Sequence, residues 1–202
     1  GRWERTKALA EYARSVNYVA ESLNLGKGAG FVPRQAGEVF STNWGDCKDK
    51  ATLLCSMLSE AGVEAFPLIV NAADRDTIYE QWPTGAQFNH CIIAIAVDDA
   101  VRSDMVVEHP QLGPLLIFDP TSELTAIGDL PDQVQGSKGI LLSGASGGLI
   151  DLPVAKPENC VMERRIQAEI FDNGSLVAKL SERSTGQIGR KERGTFRGQK
   201  SL

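Results

Sequence analysis

Apolar residues recur at helical spacing near the start of the chain. Leu9, Tyr12, Val16, Val19 and Leu23 follow one another three or four residues apart, with Ala8, Ala13 and Ala20 beside them. This predicts an amphipathic helix over residues 4–24. Gly26, Gly28 and Gly30 end it and predict a flexible connection. Their spacing matches part of a phosphate-binding glycine motif. They follow a helix rather than a strand, however, and lack the lysine-serine ending, so no phosphate site is read there. Residues 33–40 read as a short helix opened by Pro33. A stronger stripe follows at Ala51, Leu54, Cys55, Leu58 and Ala61. Asp46 suits its N-cap, Asp49 suits the positive end of its dipole, and Gly62 suits the position just past its end.

Downstream the period shortens. Residues 63–70 read as a strand, and residues 89–97 as a central strand apolar on both faces. Leu115-Leu116-Ile117-Phe118 is a third strand, stopped at Asp119-Pro120 because proline cannot donate to a ladder. Between them lie a polar loop over 71–87, which contains Tyr79 and Trp82, and a charged loop over 98–113, which contains His109. A loop as long as the first is often a substrate rim or lid. Gly139–Leu142 is a short strand. Residues 161–170 and 176–180 alternate about Asp172-Asn173-Gly174, the pattern of a hairpin, and residues 183–202 read as a solvated basic tail. The fold class is therefore α+β. A core occupies residues 1–150, a linker 151–160, and a hairpin with its tail 161–202, as part of a β-rich module.

The formal charge of −5 argues against general nucleic-acid binding. No apolar run approaches a membrane span. The chain opens at Gly1 without an initiator methionine, so it reads as an excised segment and a missing leader says little about compartment. Four cysteines without a CxxC pair, and two histidines, make a structural zinc site an unfavourable reading, and no cofactor is expected. Cys47 and Cys55 share one helix about 12 Å apart, too far for a disulfide. Cys55 and Cys91 sit in apolar runs, as core residues do.

Cys47 falls in the first turn of the capped helix, where backbone N–H groups and the dipole favour a nucleophilic thiolate. Taken alone, it is better explained as a small buried residue that happens to be cysteine. Two later residues change this. Consecutive strands joined by the 98–111 connection pair antiparallel most simply. That brings His90, at the start of one strand, beside Asp119, at the end of the next, with Val97 then opposite Leu112. A thiol needs a base to take its proton and return it to the leaving group, and a third group to orient the imidazole. Cys47, His90 and Asp119 are the candidate catalytic residues. Trp44, Asn89 and Trp82 are candidate substrate contacts. Each has an ordinary alternative: a satisfied strand-edge histidine, a turn aspartate, a packed tryptophan. Asp46 and Asp49 read as caps, and His109 as solvated.

Gly45-Asp46-Cys47-Lys48-Asp49-Lys50-Ala51, Phe88-Asn89-His90 and Phe118-Asp119-Pro120-Thr121 resemble, in order, the three motifs of the transglutaminase-like superfamily. The Lys-Asp-Lys after the cysteine is similar to a bacterial branch in which a β-rich domain often accompanies the catalytic core. The resemblance covers about residues 5–143. It implies a papain-like α+β fold, a cysteine helix packed on an antiparallel sheet, and a triad at Cys47, His90 and Asp119. It implies acyl transfer on peptide or protein amides through a thioester. We read hydrolysis, of peptidase or amidase type, ahead of protein-glutamine transamidation. A non-enzymatic binding module on the same fold is a further alternative. In animal transglutaminases a tryptophan well upstream helps hold the oxyanion. Trp44 is only three residues before Cys47, so that role is not carried to it. No calcium-site pattern is present, so calcium dependence is not expected. Relatives of this arrangement are often exported bacterial proteins, which points to an extracytoplasmic site. The oligomeric state stays open.

Overall fold

The helix that begins at Cys47 is the best-determined element by its own sequence. In the computed structural model, which describes residues 1–20, 32–81 and 84–199, it is the third of four helices. Helix α1 spans Arg2–Ser15. It stops well short of residue 24, because Val16 is already extended and Asn17–Tyr18 form a short strand, β1. Two carbonyls at this break, those of Arg14 and Val16, accept from the buried Lys50 ammonium at 3.2 and 2.7 Å. Helical periodicity in residues 16–20 is outweighed by that long-range partner. Leu23 and the glycines at 26, 28 and 30 lie outside the described residues.

Helix α2 spans Ala36–Thr42 and does not begin at Pro33. The Arg34 N–H donates to Asp49 Oδ1 at 2.8 Å, which holds residues 34–35 out of the helix. Asn43 leaves α2 in the left-handed conformation, φ 53°, and Trp44–Gly45 form β2, parallel to β1. Helix α3 then spans Cys47–Glu60. Its stripe buries Ala51, Leu54 and Leu58, and it packs against two strands, β3 (Ala65–Val70) and β4 (His90–Ala96). Gly62, at φ 72°, ends it: the Val63 N–H returns to Leu58 O and the Gly62 N–H to Ser59 O. This is a Schellman closure with Leu58 and Val63 both buried.

The remaining strands of the sheet are β5 (Val106–His109), β6 (Gly113–Phe118), β7 (Lys138–Leu141) and β8 (Gly148–Asp151). Their order is β5-β6-β4-β3-β7-β8, with every neighbouring pair antiparallel. The sheet curls, and both edges, β5 and β8, line one gap of about 610 Å³. The 98–113 segment is thus not wholly loop, since it carries β5. Likewise β8 takes up part of the stretch read as linker. The β4–β6 register also differs from expectation. Ile93 faces Phe118 and Ala96 faces Leu115, so Val97 lies opposite Pro114 rather than Leu112. The shift is two residues. An even slip leaves each side chain on its face, so His90 and Asp119 still share a face as diagonal neighbours.

Residues up to Val154 make one compact unit and those from Ala155 another. In the second, β9 (Met162–Ile170) and β10 (Leu176–Ser184) form the expected hairpin, with Ile166 opposite Leu180 and Ile170 opposite Leu176. Helix α4 (Gly186–Gln199) occupies the stretch read as a solvated tail. Its several glycines lower helix propensity, and this hid a run otherwise rich in Arg, Lys, Gln and Glu.

Candidate active site

The loop into α3 is built by carboxylates. Asp46 is the N-cap: its side chain accepts from the Asp49 N–H at 3.2 Å, and Asp49 reaches back to the Asp46 N–H at 3.3 Å. This reciprocal capping box satisfies two donors of the first turn. Asp49 is also held from outside the helix. Arg34 donates to it from its backbone and, at 3.0 Å, from Nε. The same guanidinium donates to Trp44 O at 2.7 Å and stacks 3.7 Å from the Trp44 ring. Gly45 is required here, because a Cβ would lie 2.8 Å from the Asp49 Cβ. Cys47 is therefore presented at the first helical position, where the backbone N–H has no intrahelical acceptor.

His90 opens β4 and its Nε2 meets Asp119 Oδ2 at 3.0 Å. Both side chains are largely buried, at 13% and 4% exposure. The other carboxylate oxygen, Oδ1, accepts from the Thr121 hydroxyl at 2.6 Å and the Thr121 N–H at 2.8 Å. The carboxylate is thus fixed on both sides. Burial alone would pull the imidazole down. The hydrogen bond and charge of Asp119, with a further contribution from the nearby Cys47, overcome it and raise His90 to about 10. For Asp119 burial pushes upward, but the bond and charge of His90 and the two hydrogen bonds from Thr121 outweigh it and hold the carboxyl below the ordinary range. With Nε2 on Asp119, Nδ1 is the ring nitrogen left to face Cys47. The structure thus brings together the three residues singled out as catalytic. Cys55 and Cys91 differ in kind: burial pushes each thiol up to about 12.

A strut that the sequence pattern did not reveal holds these parts in place. Lys50 is fully buried, and it ties α3 to the end of α1 through the two carbonyls. Burial, against the pull of Glu123 and Asp119, lowers this ammonium to about 8. From the same end of α1, Arg14 donates to Ser122 O at 3.2 Å and to Glu123 O, in the loop that follows Asp119. Helix α3 and the loop after Asp119 are therefore braced against one point. Beyond it, Tyr18 is paired with Gly45, and burial with the negative charge of Cys47, Asp46 and Asp119 pushes its phenol up. The signal for Lys50 was its place at an otherwise apolar helix position beside Ala51. The signal for Thr121 was the turn propensity of Asp-Pro-Thr.

No protein-family model, curated protein or solved structure matches this chain. Its chemistry is read from the site itself.

The candidate substrate contacts fare differently from one another. A cavity of about 380 Å³ opens beside Cys47 and His90, and Asn89 is on its wall. The Asn89 carboxamide is already engaged, however, donating to Asn71 Oδ1 at 3.0 Å and accepting from the Ala72 N–H at 2.8 Å. It closes the 71–87 loop around the buried Asn71. Trp44 is not among the cavity's lining residues, and its ring is covered by Arg34. Trp82 lies outside the described residues. His109 sits away from the triad in β5, where its Nδ1 accepts from the Gln111 and Leu112 N–H groups, both at 3.3 Å. Among the described residues no cluster of His, Cys, Asp and Glu has the make-up of a metal site, and no helix is long and apolar enough to cross a membrane.

Proposed function

We propose that this chain is a cysteine-dependent acyl-transfer enzyme acting on peptide or protein amides. In this reading it is a hydrolase of peptidase or amidase type with a papain-like, transglutaminase-like core. The observation that carries the proposal is the 3.0 Å His90–Asp119 pair with Cys47, at a helix N-terminus, lining the same cavity as that imidazole. The packing of α3 on β3 and β4 supports the fold assignment.

The chemistry follows from these positions. In the resting site the proton already sits on the His90 ring beside Asp119, and Cys47 Sγ attacks the amide carbonyl as the thiolate of that ion pair. The carbonyl oxygen becomes an oxyanion within reach of the Cys47 N–H, a contribution typically worth about 3 kcal/mol for one donor. His90 gives its proton to the departing nitrogen, which leaves as amine or ammonia, and a thioester remains. His90 then takes a proton from water, hydroxide adds to the thioester, and the carboxylic acid departs as the thiol is restored. An acceptor amine in place of water gives transamidation. Asp119 holds the ring tautomer and stabilises the imidazolium.

A thioester trap tests this. The protein is incubated with an amide peptide library, quenched in acid and read by mass spectrometry. We expect acyl adducts on Cys47, absent in His90→Ala, and free-acid products that persist when amines are added. Absence of any adduct, or adducts indifferent to His90→Ala, would overturn the mechanism. Products formed only with added amine would assign transamidation instead.

A further inference from the structure

The cavity beside the triad is apolar where substrate side chains would enter. Pro67 and Ile69 of β3, Phe88 before β4, Cys91 and Leu142 form its apolar wall, with Pro33 beside them. Two of the polar side chains on its wall are already engaged. Lys48 Nζ is ion-paired with Asp46, and the Asn89 carboxamide is bonded to Asn71 and Ala72. Among the described residues that line it there is no carboxylate, and burial pushes the Cys91 thiol up to about 12. Leu142 is 46% exposed although it is a large apolar residue on a cavity rim. Its N–H is taken by Pro67 O, so the backbone there is fixed while the side chain faces solvent.

We infer that this cavity is a specificity pocket for an aliphatic or aromatic side chain on the acyl side of the scissile amide. The inference rests on the acyl-transfer reading and narrows its substrates to peptides carrying a residue such as Leu, Met or Phe at that position. The volume, about 380 Å³, is near the small end of ligand cavities, and suits one or two side chains rather than an extended ligand. A glutamine or charged side chain entering the cavity would leave water without regaining equivalent hydrogen bonds, and that desolvation is unfavourable. An apolar side chain gains from the same burial. Discrimination therefore comes from both directions, by attraction of the apolar group and rejection of the polar one.

Two measurements test the pocket. The first compares kcat/KM for peptides identical except for Leu, Phe, Gln, Asp or Lys at the acyl-side residue. We expect Leu and Phe to exceed Gln, Asp and Lys by about 10- to 100-fold. We also expect Leu142→Asp to erase most of that preference, with circular dichroism showing that the fold persists. The second needs no turnover. In the Cys47→Ser protein, N-acetyl-leucinamide should shift the methyl resonances of Ile69 and Leu142, while N-acetyl-glutaminamide at the same concentration should not. Equal kcat/KM across the peptides, or methyl shifts equal for the two amides or absent for both, would overturn the pocket and leave the triad standing. If no peptide acylates Cys47, the acyl-transfer reading fails, and shifts specific to the leucine amide would then still support an apolar binding pocket.

Discussion

His90 should be a cation across the whole physiological range, and the cause should be Asp119. An imidazole ordinarily titrates near 6.5, and burial lowers it further. In this site the bond to Asp119 at 3.0 Å, aided by the Cys47 contact, raises it to about 10. At pH 7.5 that corresponds to roughly 300 protonated rings for each neutral one. Asp119→Asn removes the carboxylate charge and keeps the shape. Burial then has less opposition, with only the Cys47 interactions left to raise the ring, so its titration should move well below about 10. Loss of a charge-assisted hydrogen bond, on the order of 1.5–3 kcal/mol, should slow acylation of Cys47 by about 10- to 100-fold, less than His90→Ala does. The assay is direct, because the chain has only two histidines. Proton–carbon spectra of the imidazole Cε1–H across pH 5–11 give both titrations, and His109→Gln assigns them. A His90 resonance that titrates near 6.5 in the unaltered protein, or one that Asp119→Asn leaves in place, would refute the reasoning.

Three further perturbations probe the frame. Lys50→Met keeps the length of a fully buried side chain but orphans the Arg14 and Val16 carbonyls. We expect a loss of about 2–4 kcal/mol in urea unfolding, and an unchanged midpoint would remove the strut. Gly45→Ala forces a Cβ to within 2.8 Å of Asp49; we expect about 1–3 kcal/mol of destabilisation and slowed Cys47 alkylation, and normal values of both would show that the capping box tolerates the methyl. The third is a pH series in Cys47→Ala, which takes the thiol out of the proton count. The folded pKa of His90 is raised, so its contribution is complete below about 6.5 and declines as pH rises toward the folded value. Lys50 is lowered, from 10.5 to about 8, so its burial cost is relieved only above about 8. The urea midpoint should therefore fall between pH 6.5 and 8, and that fall should vanish when His90→Ala is added. A midpoint that rises over this interval would contradict the His90 shift.

Local chemistry was legible in the sequence and distant chemistry was not. The start and end of α3 could be read because Asp46, Asp49 and Gly62 act on backbone within a turn of themselves. The β9–β10 hairpin could be read for the same reason, through Asn173-Gly174 and strict alternation. The meeting of His90 with Asp119 survived a wrong register because alternation determines a face, while register depends on the partners a strand finds. Those partners included β5, hidden in a charged loop. The end of α1, the start of α2 and the burial of Lys50 are all consequences of bonds spanning 15 to 36 residues. No window of periodicity contains such bonds. Trp44 was read from its nearness in sequence to Cys47, yet Arg34 stacks on its ring. Asn89 was read from its place beside His90, yet its amide serves the loop it closes.

The central claim is that Cys47 is an activated nucleophile, and alkylation tests it most directly. The folded protein is treated at pH 7 with limiting iodoacetamide, and each cysteine is quantified by mass spectrometry. Burial holds the Cys55 and Cys91 thiols at about 12, so both should stay unlabelled while the fold is intact. We expect Cys47 to react at least about tenfold faster than free cysteine, and His90→Ala to remove that advantage. Labelling of Cys47 no faster than free cysteine, or undiminished in His90→Ala, would contradict the assignment of Cys47, His90 and Asp119 as a catalytic unit.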